Sequence, residues 1–175
     1  GAVHNTGQLK ITGSSFAANA AGYGGAVNNE EGAMLIEESS FMKNTADFGG
    51  AVNVNGGELE MVRVYIADNS GGHGGAIQNN AKITISESSI TKNRTEYNGT
   101  VYNKGELKVF ESVIRENRSD RFGGAITNED GEMELTDCEL TGNVAGKSGG
   151  AISTNNLKYD LNNCIIKDNT PDDVN

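Results

Sequence analysis

The segment Gly49-Gly50-Ala51-Val52 belongs to a pattern that recurs along the whole chain. Gly-Gly-Ala followed by Val or Ile begins at Gly24, Gly49, Gly74, Gly123 and Gly149. A degenerate copy, Asn98-Gly99-Thr100-Val101, fills the one long interval, and Gly1-Ala2-Val3 is a copy without its first glycine. The 175 residues therefore form a unit of about 25 residues used seven times, which is typical of a stacked-repeat protein.

A second pattern accompanies every copy of the first. In each unit an apolar residue, which we call the anchor, is followed three positions later by Asn. The pairs are Phe16 and Asn19, Phe41 and Asn44, Ile66 and Asn69, Ile90 and Asn93, Ile114 and Asn117, Leu140 and Asn143, and Ile166 and Asn169. We interpret the asparagines as corner residues, which tolerate a left-handed backbone and whose amides bond to each other from one coil to the next.

Alternating apolar residues before each anchor predict β-strands. Leu59 and Met61 flank Glu60, for example, so that one face of this segment is apolar. Each unit is expected to hold three short strands: the Gly-Ala-Val/Ile segment, the alternating segment, and the segment that leads into the anchor. The sequence therefore predicts an all-β fold, a right-handed single-stranded parallel β-helix with three sheets and about seven coils of 24–26 residues. We expect one domain spanning residues 1–175, as a segment of a longer exported protein.

Stacking the units in register brings similar residues into rows. One row lies three positions before the repeated Ala or Thr and contains Tyr23, Phe48, His73, Tyr97 and Phe122. We interpret it chiefly as an aromatic ladder that covers one corner, and alternatively as an exposed strip that binds sugar rings. Cys138 and Cys164 also fall into one row, where stacked free thiols are favoured over a disulfide.

Composition limits the partners and the chemistry. A net charge of −10 argues against nucleic acid and against docking on anionic membranes, and no apolar stretch is long enough to insert into a bilayer. No metal or cofactor is expected, because a solvated acidic face is favoured over a calcium site at Glu129, Asp130, Glu132 and Glu134. His4 and His73 lie three coils apart, and the uniform repeats leave no long loop to wall a catalytic groove. A non-enzymatic protein is therefore expected.

The pairing of Gly-Gly-Ala-Val/Ile with Phe-x-x-Asn resembles the passenger repeats of chlamydial polymorphic membrane proteins, which are autotransporter adhesins. The second motif is strict at Phe16–Asn19 and Phe41–Asn44, whereas Ile or Leu replaces Phe elsewhere. The resemblance implies a secreted or cell-surface location and binding to a receptor or glycan of a host or neighbouring cell. The candidate adhesion motifs that it implies are Phe16, Asn19, Gly24, Gly25, Ala26, Phe41, Asn44, Gly49, Gly50 and Ala51.

Two other functions remain open from the sequence. A solenoid of this kind can serve as the structural subunit of an extracellular filament, in which coils of successive molecules stack end to end. Parallel β-helices also bind or degrade polysaccharides, and the aromatic row would then line the binding surface.

Overall fold

The computed structural model describes residues 1–156 and 158–175 and arranges them as a parallel β-solenoid of seven coils. Each strand pairs in parallel with the equivalent strand one coil away, for example Leu59 with Met34 on one side and Ile83 on the other. The described residues contain no helix, and so none long and apolar enough to cross a membrane. The predicted all-β solenoid with about seven coils is confirmed, whereas its right-handedness stays a prediction.

The described strands form four sheets, which we number in the order in which one coil visits them. Sheet 1 contains Val3–Asn5, Val27–Asn29, Val52–Val54, Ile77–Asn79, Val101–Asn103, Ile126–Asn128 and Ile152–Thr154. Sheet 2 contains Gln8–Thr12, Ala33–Glu37, Glu58–Val62, Lys82–Ser86, Glu106–Phe110, Glu132–Thr136 and Tyr159–Asn162. Sheet 3 contains Ser15–Ala17, Ser40–Met42, Tyr65–Ala67, Ser89–Thr91, Val113–Arg115, Glu139–Thr141 and Ile165–Lys167. Sheet 4 contains Ala20–Tyr23, Thr45–Phe48, Ser70–His73, Arg94–Asn98, Arg118–Ser119 and Val144–Ala145.

The prediction of three sheets is therefore wrong, because sheet 4 follows the Asn corner in six of the coils. Its inward-facing residues are small, as at Ala46 and Gly71, so the segment lacks the large alternating apolar residues that identify a strand in a sequence. The strands of sheet 1 also begin later than predicted. They start at the Val or Ile of the motif, as in Val52–Val54, and the Gly-Gly-Ala segment forms the corner that precedes them.

The core is a column of inward side chains that runs through all the coils. The anchor row is fully buried at Phe41, Ile66, Ile90 and Ile114, and the alternating residues of sheet 2 face it. Phe16 and Phe41 stack with their ring centroids 4.9 Å apart. Burying one such side chain stabilises the fold by about 1.5–3 kcal/mol, so the predicted anchors supply much of the solenoid's stability.

The two glycines of the repeated motif have different structural roles. Gly49 has a φ of +64°, which is the left-handed region that a residue with a Cβ rarely adopts. Gly50 lies against the next coil, where an added Cβ would overlap the carbonyl oxygen of Gly75. Ala51 is fully buried, so that a larger side chain has no space at this corner. The motif is thus a requirement of backbone geometry and close coil packing.

The asparagines form a hydrogen-bonded ladder along the rod, as predicted. The Nδ2 atom of Asn69 donates to Asn93 Oδ1 at 2.9 Å and to the carbonyl oxygen of Phe41 at 3.0 Å. The backbone N–H of Asn69 also donates to Asn93 Oδ1, at 2.9 Å. Each buried amide therefore joins its own coil to the coils on both sides, and this arrangement recurs along the ladder.

The left-handed backbone predicted for these asparagines is wrong. It falls on the residue before each one, such as Lys43 with φ +56° and Asp68 with φ +56°. The Asn side chain bonds to neighbouring coils, and the preceding residue makes the turn at an exposed position. Because the turning residue changes type from coil to coil, the sequence repeat gives no sign of it.

The two cysteines are free thiols in adjacent coils, as predicted. Their strands pair with Glu139 opposite Ile165, which places Cys138 and Cys164 in one row. The Cys138 thiol donates to the carbonyl oxygen of Thr136 at 3.3 Å, as the Ser88 hydroxyl does to the carbonyl oxygen of Ser86 two coils earlier. Burial raises the pKa of Cys138 to about 11. The thiol is thus a structural substitute for a corner serine.

We expect Asn93→Ala to lower the free energy of unfolding by about 2–4 kcal/mol, because it removes a buried acceptor and leaves the Asn69 amide without its partner. Asn80→Ala is the matched control, since Asn80 is exposed and its side chain bonds to Asn55 at the surface. It should change stability by less than about 0.5 kcal/mol. Urea unfolding measures both, and equal effects would contradict the structural role of the ladder.

Gly50→Ala is expected to destabilise the solenoid by about 3 kcal/mol or more, because the new methyl group meets the backbone of the next coil, which cannot move away. Gly22→Ala serves as the control, since Gly22 is exposed and no atom lies within 4 Å of an added Cβ. This change should be neutral or stabilising by up to about 1 kcal/mol. Thermal unfolding of the two variants checks the difference, and a stable Gly50→Ala protein would count against the packing argument.

Candidate functional site

Four of the five residues in the predicted aromatic row form a continuous stack at the end of sheet 4. The ring centroids of Tyr23 and Phe48 are 5.0 Å apart, those of Phe48 and His73 are 5.4 Å apart, and those of His73 and Tyr97 are 5.1 Å apart. We call these four residues the aromatic ladder. In-register strands place the rings directly above one another, and the interplanar angles of 9–25° show near-parallel stacking.

Phe122 does not continue this stack. The segment between Asn117 and Ala125 is one residue longer than its counterparts in earlier coils, so Arg121 takes the position that an aromatic ring occupies before. The Arg121 guanidinium lies 5.0 Å from the centroid of the Tyr97 ring, and Lys147 lies 5.2 Å from that of Phe122. Counting back from the following Ala places Phe122 in the aromatic row. In the structure the row is instead set by the distance from the preceding Asn, which places Arg121 there.

Stacking determines which surfaces of the aromatic rings are accessible to a ligand. Phe48 and His73 have neighbours on both ring faces, and Tyr97 lies between His73 and Arg121. A sugar stacks on a free ring face. The inner rings of the ladder therefore present edges, beside a shallow groove whose residues include Asp47, Gly71 and Glu96.

The Gly-Gly-Ala motif is interrupted at Asn98, at the corner between sheets 4 and 1, and polar side chains gather there. Asn98 stands where other coils have the first glycine of the motif, and its Nδ2 atom lies 3.1 Å from His73 Nδ1. The ring of His73 also contacts that of Tyr102, with centroids 5.7 Å apart. Tyr102 donates its hydroxyl hydrogen to Glu129 Oε2 at 2.8 Å. We call His73, Asn98, Tyr102 and Glu129 the corner network.

Burial controls the protonation of the corner network. It lowers the pKa of His73, an effect that Glu129 opposes and Lys104 reinforces. Burial and the bond to Glu129 raise the pKa of Tyr102, so the phenol remains a donor. Asn98 donates its amide hydrogen to His73 Nδ1, which requires the other ring nitrogen to carry the proton of the neutral imidazole. The network is a set of fixed hydrogen bonds between neutral groups and one carboxylate.

A small groove opens beside the corner network, and we call it the corner groove. Its volume is about 220 Å³. It is lined by Asn98, Phe122, Thr127, Asn128, Glu129, Ser153, Thr154 and Asn155. Amides, hydroxyls and one carboxylate thus surround a single aromatic ring.

The repeat pattern alone does not predict a site at the corner network. One signal is present in the sequence, because Asn98-Gly99-Thr100-Val101 is a degenerate copy of the motif. A second signal is Tyr102, which occupies a row held by Asn53 and Gln78 in the two preceding coils and by Thr127 in the next. A residue that departs from the repeat is not explained by coil stacking alone. Both departures, Asn98 and Tyr102, fall at the same corner.

The candidate adhesion motifs lie mostly inside the protein. Gly24, Gly25, Ala26, Phe41, Asn44, Gly49, Gly50 and Ala51 are buried, and Phe16 and Asn19 are half-buried. Their side chains pack in the core or bond between coils. Any contact that they promote with a receptor must therefore be made by the exposed residues that they position.

The acidic residues suggested as a calcium site are distributed among ion pairs. Glu129 pairs with Lys104 at 3.7 Å, Glu132 with Lys158 at 3.8 Å, and Glu134 with Lys108 at 3.9 Å. The carboxylate of Asp130 instead accepts a hydrogen bond from Asn155 at 3.1 Å. Among residues 1–156 and 158–175, no group of three or more His, Cys, Asp or Glu side chains is placed to hold a metal ion.

Comparison with known proteins supports the resemblance noted in the sequence. Residues 137–155 match the Chlamydia polymorphic membrane protein repeat. The matched segment contains the Leu140 and Asn143 pair and the motif that begins at Gly149, so both recurrent patterns contribute. No curated protein and no solved structure matches the chain.

The lowered pKa of His73 predicts a pH dependence of stability. Because the unfolded chain binds the proton more readily than the folded one, the contribution is present above the ordinary pKa of 6.5 and is lost as the pH falls below it. His73→Phe keeps a stacking ring and removes the titration. Urea unfolding between about pH 7.5 and 5.5 should show the wild type losing stability relative to this variant on acidification. Parallel losses in the two proteins would contradict the prediction.

Proposed function

We propose that this chain is a non-enzymatic part of a secreted or cell-surface adhesin, which binds a receptor or glycan of a host or neighbouring cell. The observation that carries the proposal is the match of residues 137–155 to the polymorphic membrane protein repeat, within a solenoid of seven coils. The mechanism is display. Stacked coils form a stiff support, and its side faces present fixed rows of side chains to the partner.

The edge of sheet 4 is the face best suited to contact a protein or glycan partner. Tyr23 is 53% exposed and Tyr97 is 38% exposed, and both belong to the aromatic ladder. Arg121 extends the same row at its end. Tyr and Arg are enriched among the residues that dominate binding energy at interfaces. Because stacking already fixes these side chains, little conformational entropy is lost when a partner binds.

The chemistry of the corner network supports a binding role over catalysis. His73 is hydrogen-bonded to Asn98, and burial favours its neutral form. The raised pKa of Tyr102 disfavours a phenolate. General acid–base catalysis requires groups that can exchange protons with a substrate, whereas His73 and Tyr102 are already bonded to Asn98 and Glu129. The net charge of −10 further disfavours nucleic acid and anionic membranes as partners.

Binding of fluorescent beads coated with the protein to cultured epithelial cells tests the proposal. The double variant Tyr23→Ala, Tyr97→Ala should reduce bead retention at least about 10-fold, because it removes two interface anchors. Tyr65→Ala is the matched control, since Tyr65 is 43% exposed but lies on sheet 3. Circular dichroism and thermal unfolding establish that the variants are folded.

The three possible outcomes are distinct. If wild-type beads bind and only the sheet 4 variant loses retention, adhesion through the aromatic ladder is supported. Retention of uncoated and coated beads to the same extent would reject adhesion to these cells, and equal loss in the sheet 3 control would reject the assignment of the contact face.

A further inference from the structure

The corner groove exists because two departures from the repeat meet at one place. The first is Asn98, which replaces a glycine, and the second is the added residue that shifts Phe122 out of the aromatic ladder. Both side chains line the corner groove. Where the motif is intact, a glycine without a side chain occupies the position of Asn98. The corner groove is therefore a feature of this part of the rod and not a general consequence of the solenoid.

Phe122 differs from the rings of the aromatic ladder in what surrounds it. Arg121, and not Phe122, lies over Tyr97, so the Phe122 ring is not used in the stack. Lys147 contacts it at 5.2 Å, and the same half-buried ring lines the corner groove. The ring is thus an apolar surface in a groove that is otherwise polar.

The polar groups of the corner groove are held in place by hydrogen bonds from the protein. Thr127 Oγ1 accepts from the N–H of Gly99 at 2.8 Å and donates to the carbonyl oxygen of Phe122 at 3.1 Å. Glu129 Oε2 accepts from Tyr102 at 2.8 Å. These contacts fix the walls before a ligand arrives, which reduces the entropy lost on binding.

Asn155, which also lines the corner groove, is held by two hydrogen bonds with Asp130. Asn155 Nδ2 donates to Asp130 Oδ1 at 3.1 Å, while the N–H of Asp130 donates to Asn155 Oδ1 at 2.9 Å. Ser153 also lines the corner groove. A hydroxyl both donates and accepts, and a carboxylate oxygen accepts more than one hydrogen bond. Ser153 and Glu129 therefore offer complementary partners to ligand hydroxyls.

We propose that the corner groove binds one neutral sugar residue of a glycan, with the apolar face of the sugar on Phe122 and its hydroxyls on Glu129 and Ser153. This rests on the proposed adhesive function and names the ligand class of a second contact, separate from the aromatic ladder. The volume of about 220 Å³ lies below the range of about 300–1,000 Å³ common for drug-sized ligands, which favours a single ring.

Charge selects among the sugars. Glu129 is the one carboxylate among the residues that line the corner groove, and no Lys or Arg is among them. The chain as a whole carries a net charge of −10. This net charge would therefore repel sulfated and sialylated sugars at long range. A neutral hexose or N-acetylhexosamine meets no such barrier.

Saturation-transfer NMR with the intact chain tests this assignment. The probes are methyl glycosides of neutral hexoses and N-acetylhexosamines, with sialic acid and a sulfated disaccharide as charged comparisons. We expect transfer to at least one neutral glycoside and to neither charged sugar. Phe122→Leu, which keeps an apolar side chain but removes the aromatic face, should weaken binding at least about 10-fold. Glu129→Gln and Ser153→Ala should each weaken it severalfold.

Phe48→Leu is the matched control, because Phe48 is an equally half-buried ring of the aromatic ladder. It should leave saccharide binding unchanged, and thermal unfolding verifies that each variant is folded. Absence of transfer to every neutral glycoside at millimolar concentration, preference for a charged sugar, or binding that survives Phe122→Leu would overturn the assignment. Cell retention that depends on Tyr23 and Tyr97 would still stand in those cases, so failure of the sugar site is distinguishable from failure of adhesion.

Discussion

The structure depends on one constraint, which is that every coil must stack on its neighbours with equivalent residues about 4.8 Å apart. The buried asparagine amides enforce this register most directly. Asn93, for example, bonds to Asn117 in the next coil, and its Nδ2 atom also donates to the carbonyl oxygen of Ile66 in the coil before. A shift of one residue would leave these buried groups unpaired, at about 1–3 kcal/mol for each group. The ladder therefore selects a single register and transmits it along the rod.

Exposed charges add to this selection without contributing much stability. Arg63 lies between Glu38 at 3.1 Å and Glu87 at 3.7 Å, in the coils before and after it. Lys82 Nζ lies 3.0 Å from Glu58 in the same manner. Pairs as exposed as these contribute about 0–1 kcal/mol each. Their value lies in specificity, because a slipped register would separate these opposite charges on neighbouring strands.

The parts of the fold that a sequence predicts are those in which one residue type performs one task in every coil. The anchors such as Ile66 and the ladder residues such as Asn69 satisfy this condition, and the structure confirms both. Sheet 4 and the left-handed corner residues do not repeat one residue type in every coil. The first is lined by small side chains such as Ala46, and the second accepts Lys43 in one coil and Asp68 in the next. Backbone conformation is set there by the coils above and below, which a linear pattern does not record.

The same reasoning explains why the candidate site was only partly predictable. The aromatic row was visible because its members repeat, but repetition also means that Phe48 and His73 use their ring faces to contact each other. In an uninterrupted row, most of the contacts that a side chain can make are taken by the equivalent side chains of the neighbouring coils. Groups with unused binding capacity arise where the row is interrupted, as at Asn98 and Phe122, because no identical neighbour covers them. In a solenoid, regular positions therefore provide stability, and specificity is concentrated in the residues that depart from the repeat.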